Sequence, residues 1–253
     1  YYREYIEQPG SEPTMPGCID RAAAEGILTA VHGKDSLGEA LTRPLLAAYG
    51  IPQVEGGFAG TAKRAAEIAE RIGYPVVMKI VSPQLLHKSD VGGIRLDLAD
   101  REAVTDAYNS MMGEIGAARP DAHLEGVMVE KMAPRGQEVI IGMKRDPGFG
   151  PLMMFGLGGI YVELFKDVAF RVAPLSAEEA RRMITETRAG RLLTGFRGQP
   201  PADLDAVVDV ILRLNRLALD FPQIEEAEVN PLLVFAEGEG ALALDGRIIL
   251  KNC

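Results

Sequence analysis

The sequence predicts a mixed α/β (α+β) protein of two lobes, and three features of the chain support this prediction. Helical patterns and short apolar strands alternate through the first half. Strand candidates then follow one another directly, as in an antiparallel sheet. A Pro-Arg-Gly turn separates the two patterns, so we place the lobe boundary within residues 131–136. We therefore expect a linker and docking helix over residues 1–33, an N-terminal lobe over 34–131 and a C-terminal lobe over 132–253.

The first lobe has clear start and stop signals for its helices. An alanine-rich run predicts a helix over residues 20–31, and a second helix is predicted from near Ser36 to Gly50. Thr61 and Asp100 are N-cap candidates for helices over residues 62–72 and up to about residue 118. Strands are predicted over residues 75–80, 93–98 and 126–131.

The second lobe is predicted to be rich in strands. The candidates are residues 137–145, 150–156, 162–166 and 168–174, with closing strands over 225–235 and 240–250. Ser176 and Glu179 form the sequence pattern of a capping box, and residues 203–220 form an amphipathic helix. We expect the four consecutive strands to form one antiparallel sheet.

The composition is that of a globular protein and disfavours several functional classes. The 27 Lys and Arg residues against 36 Asp and Glu give a net charge of −9, which disfavours non-specific binding to nucleic acid. No apolar run reaches the roughly 20 residues that span a bilayer, and no signal-peptide pattern opens the chain, so we expect a cytoplasmic protein. The two cysteines, Cys18 and Cys253, support neither a disulfide framework nor a zinc site.

The stretch over residues 75–96 contains the strongest candidates for anion chemistry. An apolar strand carries Lys79 near its end, and the following loop carries His87 and the glycine pair Gly92 and Gly93. A lysine on a buried strand is unfavourable unless it meets an anion, and a glycine-rich loop can direct backbone N–H groups at phosphate oxygens. The stretch therefore favours phosphate binding, with His87 as a nucleophile. The alternative is that Lys79 extends from an edge strand into solvent and that His87 is a surface residue.

A second glycine-rich motif lies at residues 156–159. It follows a strand and opens no helix, so a dinucleotide fingerprint is disfavoured, and the sequence contains no Walker-type phosphate loop. The motif could form a flexible lid or let the backbone come close to a ligand. The alternative is that it forms a turn at a corner of the sheet.

Candidate metal ligands lie near the C-terminal end. Glu228 and Asn230 share one face of a predicted strand, and the Asp245 carboxylate is expected on a neighbouring strand. Oxygen ligands on rigid strands suit Mg²⁺, which retains several waters and shares substrate phosphates. The alternative is a pair of turns, one at Asn230 and one at Asp245.

The strand that joins the lobes is a candidate purine site. Its backbone groups, with Met128 and Met132 beside them, could contact the base, and Glu138 could reach a ribose hydroxyl. Methionines on an apolar strand are also ordinary core residues, so this segment alone decides nothing.

Taken in order, these segments resemble the ATP-grasp domain of the nucleoside-diphosphate-forming acyl-CoA synthetases. This family includes ADP-forming acetyl-CoA synthetase and is related to succinyl-CoA synthetase. The resemblance covers roughly residues 35–250 and is carried by VVMKI, LLHKSDVGGI, VEKMAPRGQEVIIG, KRDPGFGP, FGLGG followed by Glu163, EVNPLLV and ALDGRIIL. It implies a two-lobed ATP-grasp fold with the nucleotide in a cleft between the lobes.

The resemblance also implies roles for individual residues. Lys79 would bind the nucleotide phosphates and His87 would be a phosphate-carrying histidine. Asn230 and Asp245 match the magnesium ligands, and Glu228 is our candidate for orienting the His87 imidazole. The implied nucleoside contacts are Glu130 with the backbone of Lys131, Met132 and Ala133 at the adenine, and Glu138 at the ribose.

The activity that the resemblance implies is a phosphoryl relay. An acyl-CoA and phosphate yield an acyl phosphate, whose phosphoryl group passes to a histidine of a partner domain, then to His87 and finally to ADP. The reverse direction uses ATP to activate a carboxylic acid. The sequence contains no CoA-binding domain and no domain with a second relay histidine. We therefore expect either a β-type subunit with a CoA-binding α-type partner, or the C-terminal part of a fused chain.

Two alternative functions remain open at this stage. A non-catalytic module of a fused acyltransferase would only sense nucleotide, and the presence of Lys79, His87, Asn230 and Asp245 argues against it. A carboxylate–amine ligase would form an acyl phosphate directly and needs no phosphohistidine. The HKSDVGG sequence distinguishes the relay from this ligase.

Overall fold

The computed structural model describes residues 14, 16–31, 33, 35–85, 88–158, 167–195, 198 and 200–251. Their contacts define two compact units. The small unit comprises Gly38–Ala40 and Val54–Pro134. The large unit comprises the described residues up to Leu37, Leu41–Gln53 and those from Arg135 onward.

Helices and strands alternate irregularly along the described chain. The helices are α1 (Arg21–Ala30), α2 (Glu39–Ala48), α3 (Ala62–Ile72), α4 (Arg101–Ala118), α5 (Ala177–Thr185), α6 (Arg188–Leu193) and α7 (Leu204–Asp220). The strands are β1 (Ser36–Leu37), β2 (Gly56–Ala59), β3 (Val76–Val81), β4 (Ile94–Leu98), β5 (Gly126–Lys131), β6 (Gln137–Asp146), β7 (Gly150–Leu157), β8 (Val168–Val172), β9 (Ile224–Val234), β10 (Ala241–Ala243) and β11 (Gly246–Leu250). A short 3-10 turn covers Lys88–Val91.

The small unit contains a four-stranded antiparallel sheet, in which the strands lie in the order β2-β5-β3-β4. Helices α3 and α4 begin where the sequence predicts, because Thr61 and Asp100 accept hydrogen bonds from backbone N–H groups in the first turn of each helix. Gly73 ends α3 with φ +82°, a conformation that glycine adopts without strain.

The two faces of the small sheet have different roles. Side chains alternate along a strand, so Met78 and Val129 pack with α3 and α4 in one apolar core. Lys79, Met128 and Glu130 project from the opposite face. Met128 and Glu130 are only 1 % exposed, so polar groups on this face must be hydrogen-bonded or ion-paired.

The large unit is an antiparallel sheet in the order β1-β11-β9-β6-β7-β8, with β10 also paired to β9. One face packs against the helices in a single core, which contains Ile141, Phe155 and Val229 from the strands and Leu214 from α7. The predicted capping box is present: Ser176 and Glu179 exchange hydrogen bonds at the start of α5. The opposite face carries Glu228 and Asn230.

Several boundaries differ from the sequence prediction. Helix α2 begins at Glu39 rather than near Ser36, because Ser36 and Leu37 pair with β11. The strand predicted over residues 240–250 is divided into β10 and β11. The chain bends at residues 244–245, opposite Pro231 of β9, which has no N–H to donate to a strand pair. The predicted strand over residues 162–166 lies outside the described residues.

The division into units also differs from the lobes that we expected. We placed residues 34–131 in one lobe, but Leu41–Gln53 belongs to the large unit. The reason is packing: Leu45, Tyr49 and Ile51 are buried in the core of the large unit.

Among the described residues, no helix is both long and apolar enough to cross a bilayer.

Candidate functional site

Lys79 and Glu130 form a largely buried ion pair in the small unit. Lys79 Nζ lies 2.7 Å from Glu130 Oε2, and the two side chains are 11 % and 1 % exposed. Lys79 is opposite Met128 in the register of β3 and β5, so Glu130 is its diagonal neighbour on the same face. Strand β3 lies between β5 and β4, which contradicts the alternative that Lys79 extends from an edge strand.

The glycine loop that follows β3 is held closely against that strand. Gly93 N–H donates to Lys88 O over 2.7 Å, and Ile80 N–H donates to Gly93 O over 2.8 Å. A Cβ on Gly93 would lie 2.4 Å from Ile80 Cγ2, so this position requires glycine. Gly92 has φ +66°, which also favours glycine. His87 lies outside the described residues, and its predicted role stays a prediction.

The backbone at residues 131–133 offers few hydrogen-bond donors to a base. Lys131 N–H donates to Glu55 O over 2.9 Å, and Met132 N–H donates to Pro75 O over 3.4 Å. Ala133 N–H donates no hydrogen bond within the part of the chain that the structure describes. Of the three residues predicted at the adenine, Ala133 is therefore the best placed to donate from its backbone.

Asn230 and Asp245 lie opposite one another in the large unit. Asn230 N–H donates to Asp245 O over 3.1 Å, and Leu244 N–H donates to Pro231 O over 3.0 Å. The alternative of a turn at Asn230 is wrong, because Asn230 and Pro231 lie inside β9. One oxygen of the Asp245 carboxylate, Oδ1, accepts from Gly246 N–H over 2.8 Å.

These side chains provide oxygen donors of the kind that magnesium binds. Side chains directly opposite in an antiparallel pair have Cβ atoms about 5 Å apart, which lets a carboxylate and an amide oxygen approach one ion. Glu228 is two residues before Asn230 on the same strand and is partly exposed. Among the described residues, no group of three His, Cys, Asp or Glu side chains could hold a metal. The set fits Mg²⁺ that shares phosphate and water ligands better than a metal held by protein alone.

Glu138 and the second glycine motif meet at the start of β6. The Glu138 side chain is exposed, and its carbonyl accepts a hydrogen bond from Gly158 N–H over 3.1 Å. A Cβ on Gly158 would lie 2.7 Å from the backbone of Val139, and one on Gly156 would lie 2.7 Å from Asp167 O. Both glycines are therefore required for close backbone packing. Gly159 and Glu163 lie outside the described residues.

Sequence reasoning missed a second buried ion pair of the small unit. Lys88 Nζ lies 2.5 Å from Glu39 Oε2, with side chains 12 % and 7 % exposed. Lys88 lies in a motif that we had identified, but nothing in the sequence links it to a residue 49 positions away.

Comparison with known proteins identifies the family. A family model described as an ATP-grasp domain matches residues 29–250. The beta subunit of acetate–CoA ligase [ADP-forming] I from Pyrococcus furiosus is 46% identical over 214 residues, which are 85% of this chain and 91% of that subunit. The acetate–CoA ligase [ADP-forming] I of Archaeoglobus fulgidus is 47% identical over 207 residues. The match covers 82% of this chain but only 30% of that longer relative.

A solved structure agrees with these relatives. It is the dinucleotide-forming acetyl-coenzyme A synthetase 1 of Ca. Korarchaeum cryptofilum in complex with coenzyme A and Mg-AMPPCP, with its phosphohistidine segment pointing towards the nucleotide binding site. It superposes with a TM-score of 0.78 at 41% identity and covers 90% of this chain and 100% of that one. The chain belongs to the ATP-grasp family, and its relatives are the beta subunits and corresponding segments of ADP-forming acetate–CoA ligases.

Proposed function

We propose that this chain is the nucleotide-binding component of an ADP-forming acyl-CoA ligase and that it passes a phosphoryl group between ATP or ADP and His87. The observation that carries the proposal is the largely buried pair of Lys79 and Glu130 on the sheet face opposite the apolar core. A buried ammonium at such a position suits an anionic ligand, and membership of the ATP-grasp family makes that ligand a nucleotide.

Lys79 would bind the phosphates of the nucleotide, and Glu130 would hold its ammonium in place. A lysine is a mobile point charge on a flexible stem, so a fixed carboxylate at 2.7 Å reduces the freedom lost on binding. The Ala133 N–H would donate to the base, and Glu138 would accept from a ribose hydroxyl. In this proposal Glu130 positions Lys79, whereas the family resemblance implied that Glu130 contacts the adenine.

Asn230 and Asp245 would hold Mg²⁺ together with phosphate oxygens and water. The bound ion would neutralise phosphate charge that develops during phosphoryl transfer. The role of the protein is to fix the two oxygen donors near one another before the nucleotide binds, which the backbone hydrogen bond from Asn230 to Asp245 supports.

In the proposed chemical step, an unprotonated ring nitrogen of His87 attacks the γ-phosphorus of ATP. A nitrogen–phosphorus bond forms while the bond between that phosphorus and the bridging oxygen breaks, and ADP leaves with the electron pair. The reverse step phosphorylates ADP. Glu228 remains the predicted partner of the His87 imidazole.

The proposal includes an α-type partner. The matched relatives are either beta subunits or longer chains of which this sequence covers about a third. We infer that a partner subunit or domain binds CoA and carries the first relay histidine. The acid that becomes activated would bind there.

Labelled ATP tests the proposal. The chain is mixed with its α-type partner, Mg²⁺ and ATP labelled at the γ-phosphate, and the protein-bound label is followed. We expect an acid-labile, base-stable label that His87→Ala abolishes. The matched control is His123→Ala, which removes an exposed histidine of the same unit and should leave the label intact. Label that persists in His87→Ala would refute the relay.

A further inference from the structure

The ion pair of Glu39 and Lys88 lies next to the proposed phosphate carrier in the chain. Lys88 is the first residue of the 3-10 turn Lys88–Val91 and directly follows His87 in the sequence. Glu39 is the first residue of α2 and belongs, with Lys88, to the small unit. The two charged atoms lie 2.5 Å apart, and both side chains are largely withdrawn from water. A buried pair of this kind restricts both side chains, unlike an exposed one.

The backbone of Lys88 is fixed as well as its side chain. Its carbonyl accepts the N–H of Gly93, and the carbonyl of Gly93 accepts the N–H of Ile80 in β3. Gly93 has no room for a side chain between Ile80 and the Lys88 carbonyl. The backbone of Lys88 is therefore joined through Gly93 to Ile80 of β3, the residue after Lys79, and its side chain is held by Glu39.

We propose that Glu39 is a positioning residue for His87: through Lys88 it fixes the chain at the residue that follows the phosphate carrier. The inference rests on the proposed role of His87. Transfer to an imidazole needs the nitrogen close to phosphorus and in line with the leaving oxygen, and small displacements slow such steps strongly. Glu39 does not need to touch the nucleotide for this effect.

A variant that removes the charge of Glu39 without changing its shape separates positioning from binding. In Glu39→Gln, with the α-type partner and Mg²⁺ present, we expect the rate of His87 phosphorylation by ATP to decrease about tenfold, while ATP affinity changes less than about twofold. Lys88→Arg retains the ion pair and should phosphorylate at nearly the wild-type rate. The matched control is Glu70→Gln, which removes the same charge from the exposed pair of Glu70 with Arg101 and should change neither quantity.

A double-mutant cycle tests whether Glu39 acts through Lys88. If it does, Glu39→Gln combined with Lys88→Met should be no slower than the slower single variant, because both changes break the same contact. Additive losses would overturn the proposal. Thermal unfolding of each variant shows whether a slow variant is still folded at the assay temperature.

Hydrogen exchange tests the anchoring without using activity. The Gly93 N–H, bonded to the Lys88 carbonyl, should exchange about tenfold faster in Glu39→Gln than in wild type. Unchanged exchange would overturn the inference, as would faster exchange with an unchanged phosphorylation rate. Absence of His87 phosphorylation in the wild-type protein would instead refute the proposed function, and the exchange result would still decide whether Glu39 anchors the loop.

Discussion

Lys79 and Glu130 neutralise one another on adjacent interior strands, with 2.7 Å between Nζ and Oε2. Their positions follow from the register of β3 and β5, which places Lys79 opposite Met128 and Glu130 two residues further along. Because Glu130 is 1 % exposed, the nearby ammonium of Lys79 stabilises its charged form. The pair therefore contributes to folding and, in our proposal, to phosphate binding.

Removing one member of this pair should destabilise the protein. Lys79→Met and Glu130→Gln each remove one charge from a largely buried ion pair, which typically costs about 3–5 kcal/mol. The double variant should recover much of this loss but should bind nucleotide as poorly as Lys79→Met alone. Urea unfolding and calorimetry with MgATP measure the two effects. Arg101→Gln, in an exposed ion pair of the same unit, is the control and should not change the unfolding midpoint. Equal stability of the single and double variants would contradict this account.

Asp245 should determine how tightly Mg²⁺ binds with the nucleotide. Asp245→Asn keeps the shape of the side chain and removes its negative charge, so we expect about tenfold or greater weakening of Mg²⁺ binding in the presence of ATP. The measurement is ATP binding as a function of Mg²⁺ concentration. Asp205→Asn changes an exposed aspartate of α7 and should leave the curve in place. An unchanged curve for Asp245→Asn would remove this residue from the metal site.

Ala133 should contribute one backbone hydrogen bond to the base. Ala133→Pro removes the N–H, and residue 133 already precedes Pro134, which favours the extended backbone that proline also accepts. We expect the free energy of nucleotide binding to weaken by about 0.5–1.5 kcal/mol, the net contribution of a typical hydrogen bond. Ala133→Ser retains the N–H and is the control. If the proline variant binds as tightly as the serine variant, the base is not bound through this group.

The large unit should lose stability in acid through Asp220. Burial acts to raise the pKa of this carboxyl, but hydrogen bonds from Arg216 and Tyr49 outweigh it and lower the pKa. Because its pKa is lower in the folded state, the ionised Asp220 carboxylate stabilises the fold at pH values above its unfolded pKa of about 3.9. This stabilisation is lost as the pH decreases through the folded-state pKa. Asp220→Asn should therefore flatten the acid limb of stability against pH in denaturant titrations from pH 6 to 2. A limb as steep as in wild type would contradict this assignment.

The sequence was sufficient to predict those features that depend on local chemistry. Thr61, Asp100 and Ser176 cap helices at the predicted positions because each N-cap hydrogen bond joins residues only three positions apart. The alternation of side chains on β9 likewise placed Glu228 and Asn230 on one face. Asp245 was expected on a neighbouring strand but lies between β10 and β11, where its carbonyl accepts the N–H of Asn230.

Features that depend on distant parts of the chain could not be predicted. The pairing of Ser36 and Leu37 with β11 joins residues more than 200 positions apart, and it shortens α2. The partner of Lys88 is a glutamate 49 residues earlier, and the partner of Lys79 is 51 residues later. Ion pairs over such distances follow from strand order and packing, which a single sequence specifies only through the complete fold.

The central claim is that a histidine of this chain carries the phosphoryl group. Phosphorus NMR combined with peptide mass spectrometry under alkaline conditions locates phosphate on the protein after incubation with MgATP and the α-type partner. Our account predicts one phosphohistidine in this chain, at residue 87. Phosphate at another residue of this chain, or none on a chain that binds MgATP and supports acyl-CoA formation, would contradict it.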